Sequence, residues 1–220
     1  PADADYFHCT SNNTIFGTQM KEFPTLDIPM VCDMSSDIFS RNIDFSKFGI
    51  IYAGAQKNMG PAGTALVVVK EEILGKNGRT IPSMLDYAKH IKAESMYNTP
   101  PVFPVYASLL TLQWLKNLGG IPAIEKINNA KADLLYTEID RNPLFKGTAV
   151  VEDRSTMNAT FLLDTPLHTD TFNAMLKEAG VVGLPGHRSV GGYRASIYNA
   201  MPLESVQVLV DVMKDLENRV

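Results

Sequence analysis

Tyr52-Ala53-Gly54-Ala55-Gln56-Lys57-Asn58-Met59-Gly60-Pro61-Ala62-Gly63 is a loop of glycine and small residues set between two apolar runs. Gly49-Ile50-Ile51-Tyr52-Ala53 leads into it, and Thr64-Ala65-Leu66-Val67-Val68-Val69 leaves it. Short apolar, β-branched runs bounded by Gly and Pro read as buried strands. A loop this poor in side chains lets its backbone approach a ligand or another segment closely. Lys57 is the only charged residue between Lys47 and Lys70. Such surroundings would desolvate an ammonium and lower its pKa, as a nucleophilic amine requires. A lysine at a strand end can equally bind phosphate as a plain cation. The loop is not a Walker A motif, because no Gly-Lys-Ser/Thr stands at the required spacing.

Upstream, Ile28 to Cys32 forms a third strand-like run and closes on Asp33. An acidic residue there can cap the turn made by Ser35 and Ser36. It can also face a cationic partner in a shared pocket, as a carboxylate does against the pyridine nitrogen of pyridoxal phosphate. Downstream, Gly186-His187-Arg188-Ser189-Val190-Gly191-Gly192-Tyr193-Arg194 gathers two arginines and a histidine around a Gly-Gly turn. Arginine suits bidentate recognition of carboxylate or phosphate, although a solvated basic loop has the same composition. Arg194 opens an apolar strand, which favours its pointing into a site.

The remaining pattern is α/β. Residues 71–94 are mixed and polar with a turn at Lys76 to Arg79, and Asn98-Thr99-Pro100-Pro101 is a stiff extended segment. Val105, Leu109, Leu112 and Leu115 mark a helix that stops at Gly119-Gly120. Pro122 stands in the first turn of a second helix running to about Ile139. Beyond it come a strand (Thr156 to Leu163), a helix (Thr169 to Ala179, ended by Gly180) and the short apolar Val181 to Leu184. A strand (Tyr193 to Tyr198) and a helix (Pro202 to Val220) complete the chain. The expected division is 1–124 and 125–220.

Of 220 residues, 45% are hydrophobic and 20% charged, which fits a globular chain and excludes a mostly disordered one. A net charge of −4 offers no global electrostatic case for nucleic acid or an anionic membrane. No apolar run is long enough to span a bilayer. Cys9 and Cys32 cannot make a disulfide framework, so two free buried thiols in a reducing compartment are expected.

The stretch from Tyr52 to Gly63 closely resembles the cofactor-lysine motif of the phosphoserine aminotransferase family, within the class-V, fold-type-I pyridoxal-phosphate enzymes. The resemblance extends over nearly the whole chain. It includes Asn13-Thr14-Ile15, Asp33-Met34-Ser35-Ser36 with Ser40-Arg41 and Ile43-Asp44, and Tyr97-Asn98-Thr99-Pro100-Pro101. It continues through Gly186-His187-Arg188 and Gly191 to Pro202. It implies a large-domain remainder with a mainly parallel sheet over 1–124 and a small α/β domain over 125–220.

The resemblance also implies roles. Lys57 would condense with the aldehyde of pyridoxal 5'-phosphate and carry the proton to and from the substrate α-carbon. Asp33 would hold the pyridinium nitrogen, and Thr14 would bond near the ring's phenolic oxygen. Gln56 and the stretch Ser35-Ser36 would lie at the cofactor phosphate. Asn98 and Thr99 would reach the cofactor phosphate of a neighbouring subunit in a homodimer. Arg194 would clamp the substrate α-carboxylate, and His187 and Arg188 the distal phosphate or carboxylate. The implied reaction moves an amino group from glutamate to 3-phosphohydroxypyruvate, in cytoplasmic serine biosynthesis and, with 4-phosphohydroxythreonine, pyridoxine biosynthesis. Family chains are longer. This chain is therefore expected to be a C-terminal part, lacking the phosphate-cradling helix N-terminus, a ring-stacking aromatic and a partner arginine. Trp114, the single tryptophan, falls in a different segment from that aromatic. Such a part is expected to bind the cofactor weakly or not at all when alone, and to leave apolar surface in need of cover. Two other readings fit the same pattern: a different fold-type-I aminotransferase or lyase, which the His187-Arg188 pair disfavours, and an inactive fragment serving as a structural module.

Overall fold

The computed structural model describes residues 3–76 and 78–220. The turn read over Lys76 to Arg79 contains Asn77, which lies outside the described residues. The first half is built on a four-stranded sheet. Its strands are β1 (Phe7–Thr10), β4 (Met30–Asp33), β5 (Ile50–Gly54) and β6 (Ala65–Val69), in the order β1-β4-β5-β6. β1, β4 and β5 run parallel, and β6 joins β5 antiparallel. A two-strand hairpin, β2 (Asn12–Asn13) and β3 (Thr18–Gln19), follows β1.

Side chains alternate along these strands, and the alternation assigns each residue to a face. Met30, Cys32, Ile51 and Ala53 are buried in a core with Met34, Ile38, Phe48 and Met59. Asp33 and Tyr52, register partners on β4 and β5, therefore share the opposite, half-open face. Cys9 and Cys32 are buried free thiols paired in register across β1 and β4. Burial raises both thiol pKa values, most strongly at Cys32. β1 escapes sequence reading because Phe-His-Cys-Thr carries no apolar run.

The second half packs α3 (Gly120–Arg141), α4 (Thr169–Glu178) and α5 (Leu203–Arg219) with the sheet β7 (Phe145–Gly147), β8 (Asn158–Leu163) and β9 (Tyr193–Ser196). Val206, Leu209, Val210, Met213 and Leu216 of α5 are all buried, as their spacing requires. Gly180, at φ +73°, ends α4. β9 stops two residues short of the predicted Tyr198, because the carbonyls of Ile197 and Tyr198 turn away to a lysine side chain. Val181 to Leu184 adds no strand, and a six-residue helix, α1 (Tyr87–Lys92), lies in the polar stretch.

Helix α2 (Val102–Asn117) joins the halves and begins directly after Pro101. It approaches the lysine loop on its Pro104–Ser108 side. A Cβ on Gly60 would stand 2.8 Å from Ser108 Oγ, and one on Gly63, at φ +124°, 2.8 Å from Pro104 Cγ. Leu115 is buried, but Val105 and Leu109 are each 49% exposed. The predicted apolar stripe is thus covered at one end only, and Phe103 and Tyr106 extend the open surface. No helix among the described residues is long and apolar enough to cross a membrane.

Candidate active site

Strand β5 ends at Gly54, and the next residues form a tight turn. Ala55 carbonyl accepts from the N–H groups of Met59 and Gly60 at 3.0 and 2.9 Å. Lys57 sits on this turn, half-buried, and its Nζ donates to Thr14 Oγ1 at 2.9 Å. Thr14 is held by the hairpin around it. Asn13 Oδ1 accepts from the N–H groups of Ile15 and Phe16, and Gly17, at φ +68°, closes the turn. Asn58 turns the other way and is buried. It donates to the Ile38 carbonyl at 3.1 Å and accepts from the N–H of Asn199 at 3.0 Å. Gln56 is exposed and folds back over Gly54.

Asp33 stands at the end of β4 beside this turn. Its Oδ1 accepts from Ser35 N at 2.9 Å and Ser35 Oγ at 2.6 Å, so the capping role read from the sequence is present. Ser35 Oγ in turn accepts from Gly54 N at 3.1 Å. A chain of hydrogen bonds therefore runs from the carboxylate to Gly54, the strand residue directly before the lysine turn. Burial, and then the Asp33 carboxylate, raise the pKa of the Tyr52 hydroxyl, which lies 3.0 Å from His8 Nε2. Neither His8 nor Tyr52 carries a local pattern that assigns it a role in the site.

The cationic cluster is built on the second sheet. Arg194 on β9 pairs in register with Thr160 on β8, so the two side chains share a face. Thr160 Oγ1 donates to the Phe16 carbonyl at 3.1 Å, which turns that face toward the hairpin tip carrying Thr14. Arg194 Nε is buried and has no hydrogen-bond partner among the described residues. The loop before it is closed by a 2.8 Å bond from Gly186 N to the Gly192 carbonyl. A Cβ on Gly186 would collide with the Gly191 carbonyl. His187 Nδ1 lies 2.7 Å from Ser189 Oγ, and Arg188 is exposed. Among the described residues, Lys57, Arg188 and Arg194 have no ion-pair partner. Asn98 and Thr99 are exposed, and no hydrogen bond joins them to the lysine turn.

The two halves meet through buried amides that the sequence did not announce. Asn12 Nδ2 donates to Ser36 Oγ at 2.9 Å and to Asn158 Oδ1 at 2.8 Å, and Asn158 Nδ2 donates to Ser196 Oγ and Tyr198 Oη. Asp37, buried beside them, accepts from Ser11, Gln19 and Arg41; burial raises its pKa against the pull of Arg41. The assembly therefore supplies an amine, a fixed carboxylate and an unpaired guanidinium from three separate segments.

The family model described as aminotransferase class-V matches residues 2–209. A curated phosphoserine aminotransferase of Flavobacterium johnsoniae is 82% identical over the whole of this chain and 62% of its own length. A solved phosphoserine aminotransferase of Bacillus circulans subsp. alkalophilus is 44% identical, with a TM-score of 0.93, over 97% of this chain and 60% of that one. A pyridoxal-phosphate-bound phosphoserine aminotransferase of Trichomonas vaginalis is 38% identical, with a TM-score of 0.90, over 96% and 61%. The chain spans about 62% of the length of the curated relatives it matches. With its mostly parallel first sheet, the fold is that of fold-type-I enzymes.

Proposed function

The chain belongs to the class-V aminotransferase family, and from that premise we propose that it forms part of a phosphoserine aminotransferase site. The proposed reaction uses pyridoxal 5'-phosphate to move an amino group from L-glutamate to 3-phosphohydroxypyruvate, giving O-phospho-L-serine and 2-oxoglutarate. 4-Phosphohydroxythreonine is a second candidate partner of the same chemistry. The observation that carries this reading is the half-buried Lys57 amine, held by a hydroxyl and, among the described residues, by no carboxylate, beside a strand-end aspartate.

The donor set fits the group. An aldehyde needs an amine free of ion pairs, and Lys57 is one. A pyridine nitrogen that stays protonated needs a fixed anion, and Asp33 is fixed by Ser35. A substrate carboxylate needs an unpaired cation, and Arg194 has a buried Nε without an acceptor. When bound, pyridoxal phosphate supplies the electron sink that makes the substrate Cα–H acidic. Lys57 would take and return that proton at its Nζ, which Thr14 Oγ1 holds by a hydrogen bond. Arg194 fixes the α-carboxylate, and His187 and Arg188 recognise the distal anion. Because Ser35 spends its hydroxyl proton on Asp33, its role here is to orient that carboxylate, and Gln56 is left to approach the phosphate.

Asn98 and Thr99, exposed and without a role in their own chain's site, suit the expected contribution to a second copy's cofactor in a homodimer. The open face of α2 is consistent with such a partner surface. The two-domain division near residue 124 is supported by two separate cores, one over residues 9–59 and one over 132–216. A cytoplasmic location accords with two free buried thiols.

The test is an absorbance titration of the complete enzyme with pyridoxal phosphate. A near-visible band that forms in the parent protein and is absent in Lys57→Ala is the expected result. Arg188→Ala should raise the KM for the phosphorylated acceptor about tenfold or more while the band remains. A parent protein with no band overturns the reading.

A further inference from the structure

Helix α3 carries Asn128 and Lys131, three residues apart and therefore on one face. Both are almost fully buried, and both reach Ile197, Tyr198 or Asn199, the segment leaving β9. Lys131 Nζ donates to the Ile197 carbonyl at 2.9 Å and to the Tyr198 carbonyl at 2.8 Å. It has no carboxylate partner among the described residues. Burial alone lowers its pKa to about 8. Asn128 Nδ2 donates to Asn199 Oδ1 at 2.9 Å and to the Ser40 carbonyl at 3.0 Å.

Asn199 passes these contacts to the lysine turn. Its N–H donates to Asn58 Oδ1, one residue from Lys57. Its side chain donates to the Phe39 carbonyl at 2.9 Å, and Phe39 sits at φ +59°, a conformation non-glycine residues rarely adopt. At the other end of the same short run, three residues before Ile197, stands Arg194. An unpaired lysine is costly to bury, and an apolar side chain of similar volume would fill the space more cheaply. The two carbonyls it clamps are the feature that an apolar side chain could not hold.

We propose that Lys131, assisted by Asn128, is a positioning residue: by clamping Ile197–Asn199 it fixes the distance between Arg194 and the Lys57 turn. The proposal rests on the aminotransferase reading above. Loss of the clamp frees the carboxylate-binding arm, while the cofactor side keeps its own tethers, Lys57 to Thr14 and Asp33 to Ser35.

The experiment uses the complete, cofactor-loaded enzyme and Lys131→Met, which keeps the volume and removes the donors. Glutarate, a dicarboxylate that cannot be transaminated, is titrated by calorimetry, with cofactor Kd and the kcat and KM for glutamate measured alongside. The expected result is a glutarate Kd raised about fivefold or more, with glutamate KM in step and cofactor Kd within about twofold of the parent. Leu135→Ala, one turn along α3 in the core, is the control: it should lower the unfolding midpoint and leave the glutarate Kd unmoved. A Lys131→Met protein that behaves like this control, less stable but with unchanged glutarate affinity, overturns the proposal. Should Lys131→Met fail to fold, Lys131→Gln, too short to span both carbonyls, is judged by the same glutarate criterion. A parent enzyme that takes up no cofactor overturns the aminotransferase reading itself. A parent that does, with glutarate Kd unmoved in the variants, overturns only the role of Lys131.

Discussion

The amine of Lys57 reaches across from the turn after β5 to donate to Thr14 Oγ1 in the hairpin after β1, 43 residues away in sequence. Because no carboxylate among the described residues competes for it, this one hydroxyl sets where the amine points. Thr14→Val keeps the shape and removes the acceptor. Cofactor affinity should fall about fivefold, the equivalent of a single hydrogen bond near 1 kcal/mol. The unfolding midpoint should stay close to the parent's. A spectroscopic titration read beside a urea curve checks both.

Asn58 is the buried counterpart of Lys57, tying the same turn to Ile38 and Asn199. Asn58→Ala leaves a buried N–H and a buried carbonyl without partners, each a desolvation loss of about 1–3 kcal/mol. The variant should unfold at distinctly lower urea, and its catalytic loss should exceed that of a surface change on α5 such as Gln207→Ala. Equal stability would show that the turn is held by other contacts.

Gly186 is required by crowding rather than by a turn. A methyl group there meets the Gly191 carbonyl, and the bond from Gly186 to Gly192 that closes the basic loop would open. Gly186→Ala should raise the KM for the phosphorylated acceptor while leaving the cofactor band in place. Steady-state kinetics with a parallel spectrum decide it.

The buried Lys131 links stability to pH. Its pKa falls to about 8 in the folded protein against an ordinary 10.5. Between those values the unfolded chain holds a proton that the folded one has released, so this group makes stability rise with pH across that window. Below pH 8 both states are protonated and the contribution is flat. The stability difference between the parent and Lys131→Met should therefore shift in the parent's favour from pH 8 to 10. Urea unfolding at several pH values tests this, and a constant difference would contradict it.

Much of the candidate site is legible in the sequence. Lys57 in its Gly/Ala loop, Asp33 at a strand end and the arginines around Gly191-Gly192 each carry a local signature of composition or of boundary. The buried partners carry none. Asn12, Asn58, Asn128 and Asn199 are ordinary polar residues until packing removes water from them. Lys131, sitting in a polar stretch of α3, resembles the many lysines that face solvent. The spacing of Val105, Leu109, Leu112 and Leu115 identified a helix, but could not say that only its Leu115 end would be covered within this chain.

The alternation of apolar runs with helical periods determined by itself that the chain is α/β, because strand and helix burial repeat at different periods. The family motifs placed the amine, the carboxylate and the cations along it. Which of these groups meet was decided only in three dimensions. Asn12 and Asn158 bond across 146 residues, and Thr160 turns the Arg194 face toward the hairpin of Thr14. Such contacts depend on how two sheets dock, and docking satisfies buried polar groups one against another without leaving a local pattern in the chain.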